Sequence, residues 1–220
     1  MNRLLSMVCC FILWSSVSVG QGKNSYESPD FDELTENHQK IAIIPFLTSL
    51  NLDEDINADQ LEKLEEQEGY EAQNALEAYF LSRNNRRKAF VVDFQDVKET
   101  NRTLSKNGVD YKNLDIYSPK ELCKILDVDG IVSGRLILSA LISEGIDESF
   151  DLLAFLSGKS DFGKIIIKTS DGDTGRLIWR YEQTITRKSG KNTTAIMEKM
   201  MRKATRKFPY DKERIRKRNK

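Results

Sequence analysis

Residues 130–140 carry the strongest constraint on the fold. Read with strand periodicity, Val132, Gly134, Leu136, Leu138 and Ala140 line one face, and none of them has a polar side chain. Ile131, Ser133, Arg135, Ile137 and Ser139 line the other, which is mixed. A strand with one wholly apolar face packs that face against helices and has its second face only partly covered. The residues before it form a helix and a corner. Ser118 and Pro119 open a helix as cap and first-turn proline, and Leu122, Ile125 and Leu126 face inward. Asp127, Val128, Asp129 and Gly130 then turn the chain into the strand. The carboxylates of Asp127 and Asp129 are placed to satisfy free backbone groups at that corner.

The rest of the chain supplies partners for this strand. Residues 40–46 are a short β-branched run ended by Pro45, which removes a ladder donor. A long helix follows, capped by Asn57 or Asp59. Leu61, Leu64, Glu68, Ala72, Ala75, Leu76, Tyr79 and Phe80 recur at helical spacing, and Gly69 interrupts that stripe as a point of weakness. Residues 89–94 read as a second strand, and residues 95–112 as a polar stretch with a short helix. Residues 164–169 and 176–185 form a hairpin about the turn at 170–175, with Leu177, Trp179, Tyr181 and Ile185 on one face. A last helix puts Ile196, Met197, Met200, Met201 and Ala204 on one stripe, followed by Phe208 and Pro209. Parallel crossovers followed by an antiparallel hairpin predict an α/β fold, a mixed sheet of about five strands with helices packed on its faces, in a single domain.

The chain has 220 residues, 39% hydrophobic and 31% charged, enough for one medium domain beside a targeting segment. Residues 1–20 read as a signal peptide. Arg3 is their only charge, residues 4–14 are mostly apolar, and Ser18 and Gly20 are small residues before a cut ahead of Gln21. Residues 21–39 are polar and read as a flexible leader, residues 40–209 as the α/β domain, and residues 210–220 as a basic disordered tail. Cys9 and Cys10 lie inside the apolar stretch rather than after it, which argues against lipidation. Without that stretch a single thiol is left, Cys123, so no internal disulfide is expected and the thiol reads as a buried filler.

Charge is balanced overall but uneven in position. Between residues 27 and 77 only Lys40 and Lys63 oppose many acids, whereas residues 202–220 hold ten Lys or Arg against Asp211 and Glu213. The tail residues Arg214, Arg216, Lys217, Arg218 and Lys220 suit an anionic membrane surface or acidic envelope polymer. Nucleic acid is not an expected partner, because an exported chain rarely meets it and the tail lacks interleaved aromatics.

No catalytic, cofactor or metal site is expected. His38 is the sole histidine and lies in the leader. Ser133 lacks the strand-to-helix elbow of a hydrolase nucleophile. Residues 171–175 lack the later glutamate of a calcium loop and read as a tight turn. The interruption at 141–161 stands out instead. Phe150, Leu152, Leu153, Phe155 and Leu156 form an apolar run too short to span a membrane as a helix, and they are the expected contact surface for a partner. The reading is an interaction or assembly module without catalytic activity. Its partner is an envelope protein or a second copy, and a structural subunit of an envelope complex is the alternative. A soluble hydrolase ranks last.

The run at 40–46, residues 121–134 and residues 173–179 stand in the same order as in a group of bacterial envelope proteins that this chain resembles. The group includes the curli secretion channel lipoprotein, the lipoprotein activators of penicillin-binding proteins and the amino-terminal domain of the Tol-Pal translocation protein. Residues 201–210 are also similar to uncharacterised exported proteins of Bacteroidetes-type bacteria. The resemblance covers most of residues 40–208 and implies a compact α/β domain working in the periplasm, or at the inner face of the outer membrane, by protein contact and without enzymatic activity. The chain departs from the group in lacking a lipobox. Residues 141–161 are too short and not alternating for the long inserted strands of the channel formers, so pore formation is not implied, and no functional residue carries over.

Overall fold

A computed structural model describes residues 25–52, 56–87, 89–139, 142, 161–186, 191–204 and 208–218. Strand β5 (Gly130–Leu138) is central, as its two faces require. Strands β2 (Lys40–Ile43) and β3 (Leu47–Leu50) both pair parallel with it, Ile41–Ile43 against Gly130–Val132 and Leu47–Leu50 against Arg135–Leu138. The two are one line of chain broken around Pro45. On the other side β6 (Asp161–Asp171) pairs antiparallel with β5, and β7 (Leu177–Thr186) with β6. With β1 (Ser25–Glu27) and β4 (Asp93–Phe94) the sheet has seven strands, in the order β1-β7-β6-β5-β2-β4 with β3 beside β5. The α/β class and mixed sheet match the expectation, and the added strands are short ones.

One face packs on α2 (Ala58–Arg87) and α5 (Thr193–Ala204). The expected stripe on α2 is buried at Ala72, Ala75, Leu76 and Phe80, and that on α5 at Ile196, Met197, Met200, Met201 and Ala204. Phe80 stacks on Phe94 at 4.4 Å between ring centres and meets Phe90 and Phe208 at 5.3 and 5.0 Å. Trp179 is edge-on to Phe208 at 5.4 Å. Burying one such ring contributes about 1.5–3 kcal/mol. The opposite face is covered by α3 (Val97–Lys106) and α4 (Pro119–Leu126), but only over β2 and the start of β5, where Ala42, Ile44 and Ile131 meet Leu104, Leu122, Cys123 and Leu126.

Local signals set the α4 end of this layer. Ser118 and Glu121 form a reciprocal capping box with Pro119 in the first turn, and Asp127 closes the helix in the left-handed region at φ 54°. Asp129 accepts from the backbone N–H groups of Gln39 and Lys40 at 2.7 and 2.8 Å, so the corner carboxylate fastens β5 to β2.

Gly69 has a different role from the weak point in α2 expected of it. The Phe46 N–H donates to the Gly69 carbonyl at 3.2 Å, and a Cβ on Gly69 would lie 2.1 Å from the Phe46 carbonyl oxygen. The glycine admits the backbone between β2 and β3 against the helix. The Phe46 ring in turn fills the space above Gly134, where a Cβ would lie 2.1 Å from the ring.

The outer edge of β3 is closed by side chains. The Thr48 N–H donates to the Tyr111 hydroxyl at 2.8 Å, that hydroxyl donates to the Glu65 carbonyl at 3.0 Å, and the Leu50 N–H donates to Glu65 Oε1 at 2.9 Å. Capping these donors blunts an edge that would otherwise recruit another strand. Tyr111→Phe should cost about 1–3 kcal/mol in urea unfolding, because the Thr48 N–H is left buried without an acceptor.

Two boundaries need correction. Residues 21–39 are not all flexible leader: β1 pairs with β7 from Ser25↔Tyr181 to Glu27↔Trp179, α1 (Phe31–Thr35) buries Phe31, and the His38 side chain is 6% exposed. Residues 210–220 are not all disordered tail: Tyr210 and Asp211 are buried, and α6 (Lys212–Arg218) follows them. The charges from Lys212 to Arg218 are carried on a helix capped by Asp211, which accepts from the N–H groups of Glu213 and Arg214.

Candidate interaction surface

The expected contact residues Phe150, Leu152, Leu153, Phe155 and Leu156 lie outside the described residues, between the ends of β5 and β6. Of the basic tail, Lys220 also lies outside them. Arg216 and Lys217 are exposed on α6, Arg218 ends that helix, and Arg214 is turned inward to the Glu27 carboxylate of β1.

The structure assembles a polar cluster that sequence reasoning missed. His38 Nε2 lies 2.9 Å from Asp171 Oδ1, and its Nδ1 lies 2.7 Å from the Tyr210 hydroxyl. Asp171 Oδ2 accepts from the Thr174 N–H at 2.7 Å and from its hydroxyl. The arrangement assigns the proton to Nε2, with Tyr210 donating to Nδ1. Burial alone would raise the Asp171 carboxyl, but the bonds from Thr174 and His38 outweigh it and hold that carboxyl below the ordinary range. Burial, reinforced by the Asp171 charge, pushes the Tyr210 hydroxyl well up. Asp, His and a hydroxyl in a row match the order of an acid–base relay, but these groups are sealed, with the Asp171 side chain 3% and Tyr210 1% exposed. Acid–base catalysis needs a substrate proton within hydrogen-bond reach. The cluster instead fastens together the segment before β2, the β6–β7 turn and the segment before α6. The nearby Cys123 thiol is pushed up to about 12 by burial and by the Asp171, Asp129 and Asp173 carboxylates, so it stays protonated as a filler.

The surface able to meet a partner is the mixed face of the sheet. Along β5 it opens progressively: Ile131 is buried, Ser133 half-buried, and Arg135 and Ile137 exposed. Cross-strand register sets Ser133 beside Lys168 and Arg180, Arg135 beside Ile166 and Glu182, and Ile137 beside Lys164 and Thr184. Tyr26 of β1 extends the first row and is 45% exposed. Lys164, at 2.8 Å, and Arg180 both pair with Glu182 and hold its carboxyl below the ordinary range. Arg135 and Lys168 have no carboxylate partner among the described residues.

Two of the clefts among the described residues border the sheet layers with charged side chains in their lining. The larger, about 390 Å³, lies between α2 and α5, but its arginines are neutralised, Arg83 by Asp211 at 2.5 Å and Arg202 by Glu198 at 3.1 Å. The smaller, about 210 Å³, lies where α4 and the turn at Leu114–Ile116 meet the open face, and Arg135 and Lys168 line it.

No family model matches the sequence, and no curated protein matches it. Solved structures similar to it include lipoprotein GNA1162 from Neisseria meningitidis, at 15% identity over 67% of this chain and 81% of that one, with a TM-score of 0.42. The LpoB C-terminal domain from Salmonella enterica matches at 6% identity over 72% and 94%, with a TM-score of 0.34. The PelC dodecamer from Paraburkholderia phytofirmans matches at 12% identity over 79% and 89%, with a TM-score of 0.35. They include a bacterial lipoprotein, as the sequence resemblance led one to expect. The likeness is of chain path at low identity, and the surface is argued from this chain's own residues.

Proposed function

We propose that this chain is an exported protein-interaction or assembly module of the bacterial envelope, without catalytic activity. The observation that carries the reading is the open face of β5, β6 and β7. A helix layer buries one side of these strands, while the other leaves Tyr26 and Ile137 exposed among cations, of which Arg135 and Lys168 have no carboxylate partner among the described residues. A strand-borne surface with apolar points among charges gives a partner both apolar contact and electrostatic register. The basic, apolar and small-residue order of residues 1–20 supports export to the periplasm or to the inner face of the outer membrane. The apolar run at 150–156, which in sequence follows β5 and precedes β6, is proposed as a second contact element, with the basic helix α6 as an accessory contact for anionic surfaces.

The test is capture of the partner from the native envelope by chemical crosslinking. Leu153→Asp with Phe155→Asp should abolish capture while far-ultraviolet circular dichroism and melting temperature stay at the parent values. Undiminished capture by this double variant sinks the role of the run.

A further inference from the structure

We propose that the cleft between α4 and the open face is a docking pocket for an acidic protein segment, which inserts one apolar side chain and places flanking carboxylates on Arg135 and Lys168. The inference rests on reading the chain as an interaction module and names the kind of partner that module takes.

The floor and walls are apolar, with Pro45, Leu47, Leu114, Tyr117 and Ile131 among them. The volume, about 210 Å³, is below the roughly 300 Å³ at which pockets begin to enclose drug-sized molecules. It suits a single large side chain. Charge at the rim is lopsided: Arg135 and Lys168 line the cleft against one exposed carboxylate, Asp115. Register explains why the cations act together. Lys168 is paired with Ser133, and Arg135 lies two residues further along β5. Such diagonal neighbours on one sheet face have backbones about 7–8 Å apart, within reach of two long side chains converging on one carboxylate. Both stand on strands held by the core, so binding has to order their side chains but not their backbone. Ile116, 75% exposed in the turn that walls the cleft, and Ile137, 37% exposed two residues beyond Arg135, give apolar contact on either side.

Charge complementarity therefore selects an acidic segment over a basic or neutral one. The pocket's size selects a side chain over a lipid tail. The α2–α5 cleft offers no such preference, because both its arginines are paired.

The probe is a fluorescein-labelled heptapeptide of Asp and Glu around one central phenylalanine, titrated with the full chain by anisotropy. Two companion peptides replace the phenylalanine by alanine or all acids by lysine. Saturable binding of the acidic phenylalanine peptide is expected, with affinity about tenfold weaker for the alanine peptide and for Arg135→Glu/Lys168→Glu. Arg202→Glu, a charge reversal in the other cleft, should leave it unchanged. The changed side chains are exposed, and circular dichroism checks that the variants fold. The inference is overturned by absence of saturable binding, by equal binding of the lysine peptide, or by double-variant affinity equal to the parent. It is also overturned if decanoate displaces the peptide at equal concentration, which would assign the cleft to a small amphiphile. If the peptide fails while envelope capture persists in Arg135→Glu/Lys168→Glu, the pocket falls and the interaction module stands. Failure of the parent chain to capture any envelope protein removes the module itself.

Discussion

Gly69→Ala should destabilise the fold by about 3 kcal/mol, although the substitution sits inside a helix. In an open helix, alanine would gain about 1 kcal/mol over glycine. Here the new methyl would fall 2.1 Å from the Phe46 carbonyl oxygen and 2.8 Å from the Tyr111 ring. The oxygen belongs to the backbone between β2 and β3, both held parallel to β5, so it cannot swing aside. Overpacking therefore wins over propensity. Urea unfolding followed by circular dichroism reads the sign directly, and a stabilised variant would contradict the packing. Gly134→Ala is the informative companion. Its clash is with the Phe46 ring rather than with backbone, so Phe46→Leu should restore part of the loss in Gly134→Ala and none in Gly69→Ala.

Asp171→Ala should cost about 3 kcal/mol, because it removes a charged acceptor shared by Thr174 and His38 and leaves the buried His38 ring N–H without its acceptor. The pH dependence of the parent carries the same signature. The Asp171 carboxyl is lowered in the folded chain, so the unfolded chain binds the proton first as acid is added. Its stabilisation is complete above about pH 4 and is lost as pH falls through the lower folded value. Asp171→Ala should flatten that acid limb of the stability curve. At the other extreme the raised Tyr210 hydroxyl contributes a loss of stability as pH rises above about 10. An unchanged acid limb in Asp171→Ala would show that other carboxylates govern it.

The parts of the fold legible in the sequence were those written in local periodicity. The two faces of the strand, followed in the structure from Gly130 to Ser139, the stripe on α2 and the 164–185 hairpin each report burial within a few residues of themselves, and each is found in place. What escaped depends on distant chain. β1 is three residues long and exists because β7 offers an edge to it. The strand expected at 89–94 shrinks to Asp93–Phe94, because Phe90 bridges to Asp211 instead. His38 reaches Tyr210 across 172 positions and Asp171 across 133, and no local pattern announces either meeting. Gly69 reads as a helix weakness until the Phe46 carbonyl is placed above it. The open face was half legible: alternation marked it as mixed, but only the register shows Arg135 and Lys168 as diagonal neighbours without a carboxylate partner among the described residues.

Site-specific photocrosslinking in the native envelope tests most directly whether the open sheet face is where this chain meets its partner. A photoreactive side chain at Ile137, exposed on that face, is compared with one at Leu81, 45% exposed on α2. The account predicts one discrete protein adduct from position 137 and none from position 81. No adduct from position 137, or equal adducts from both, would contradict it.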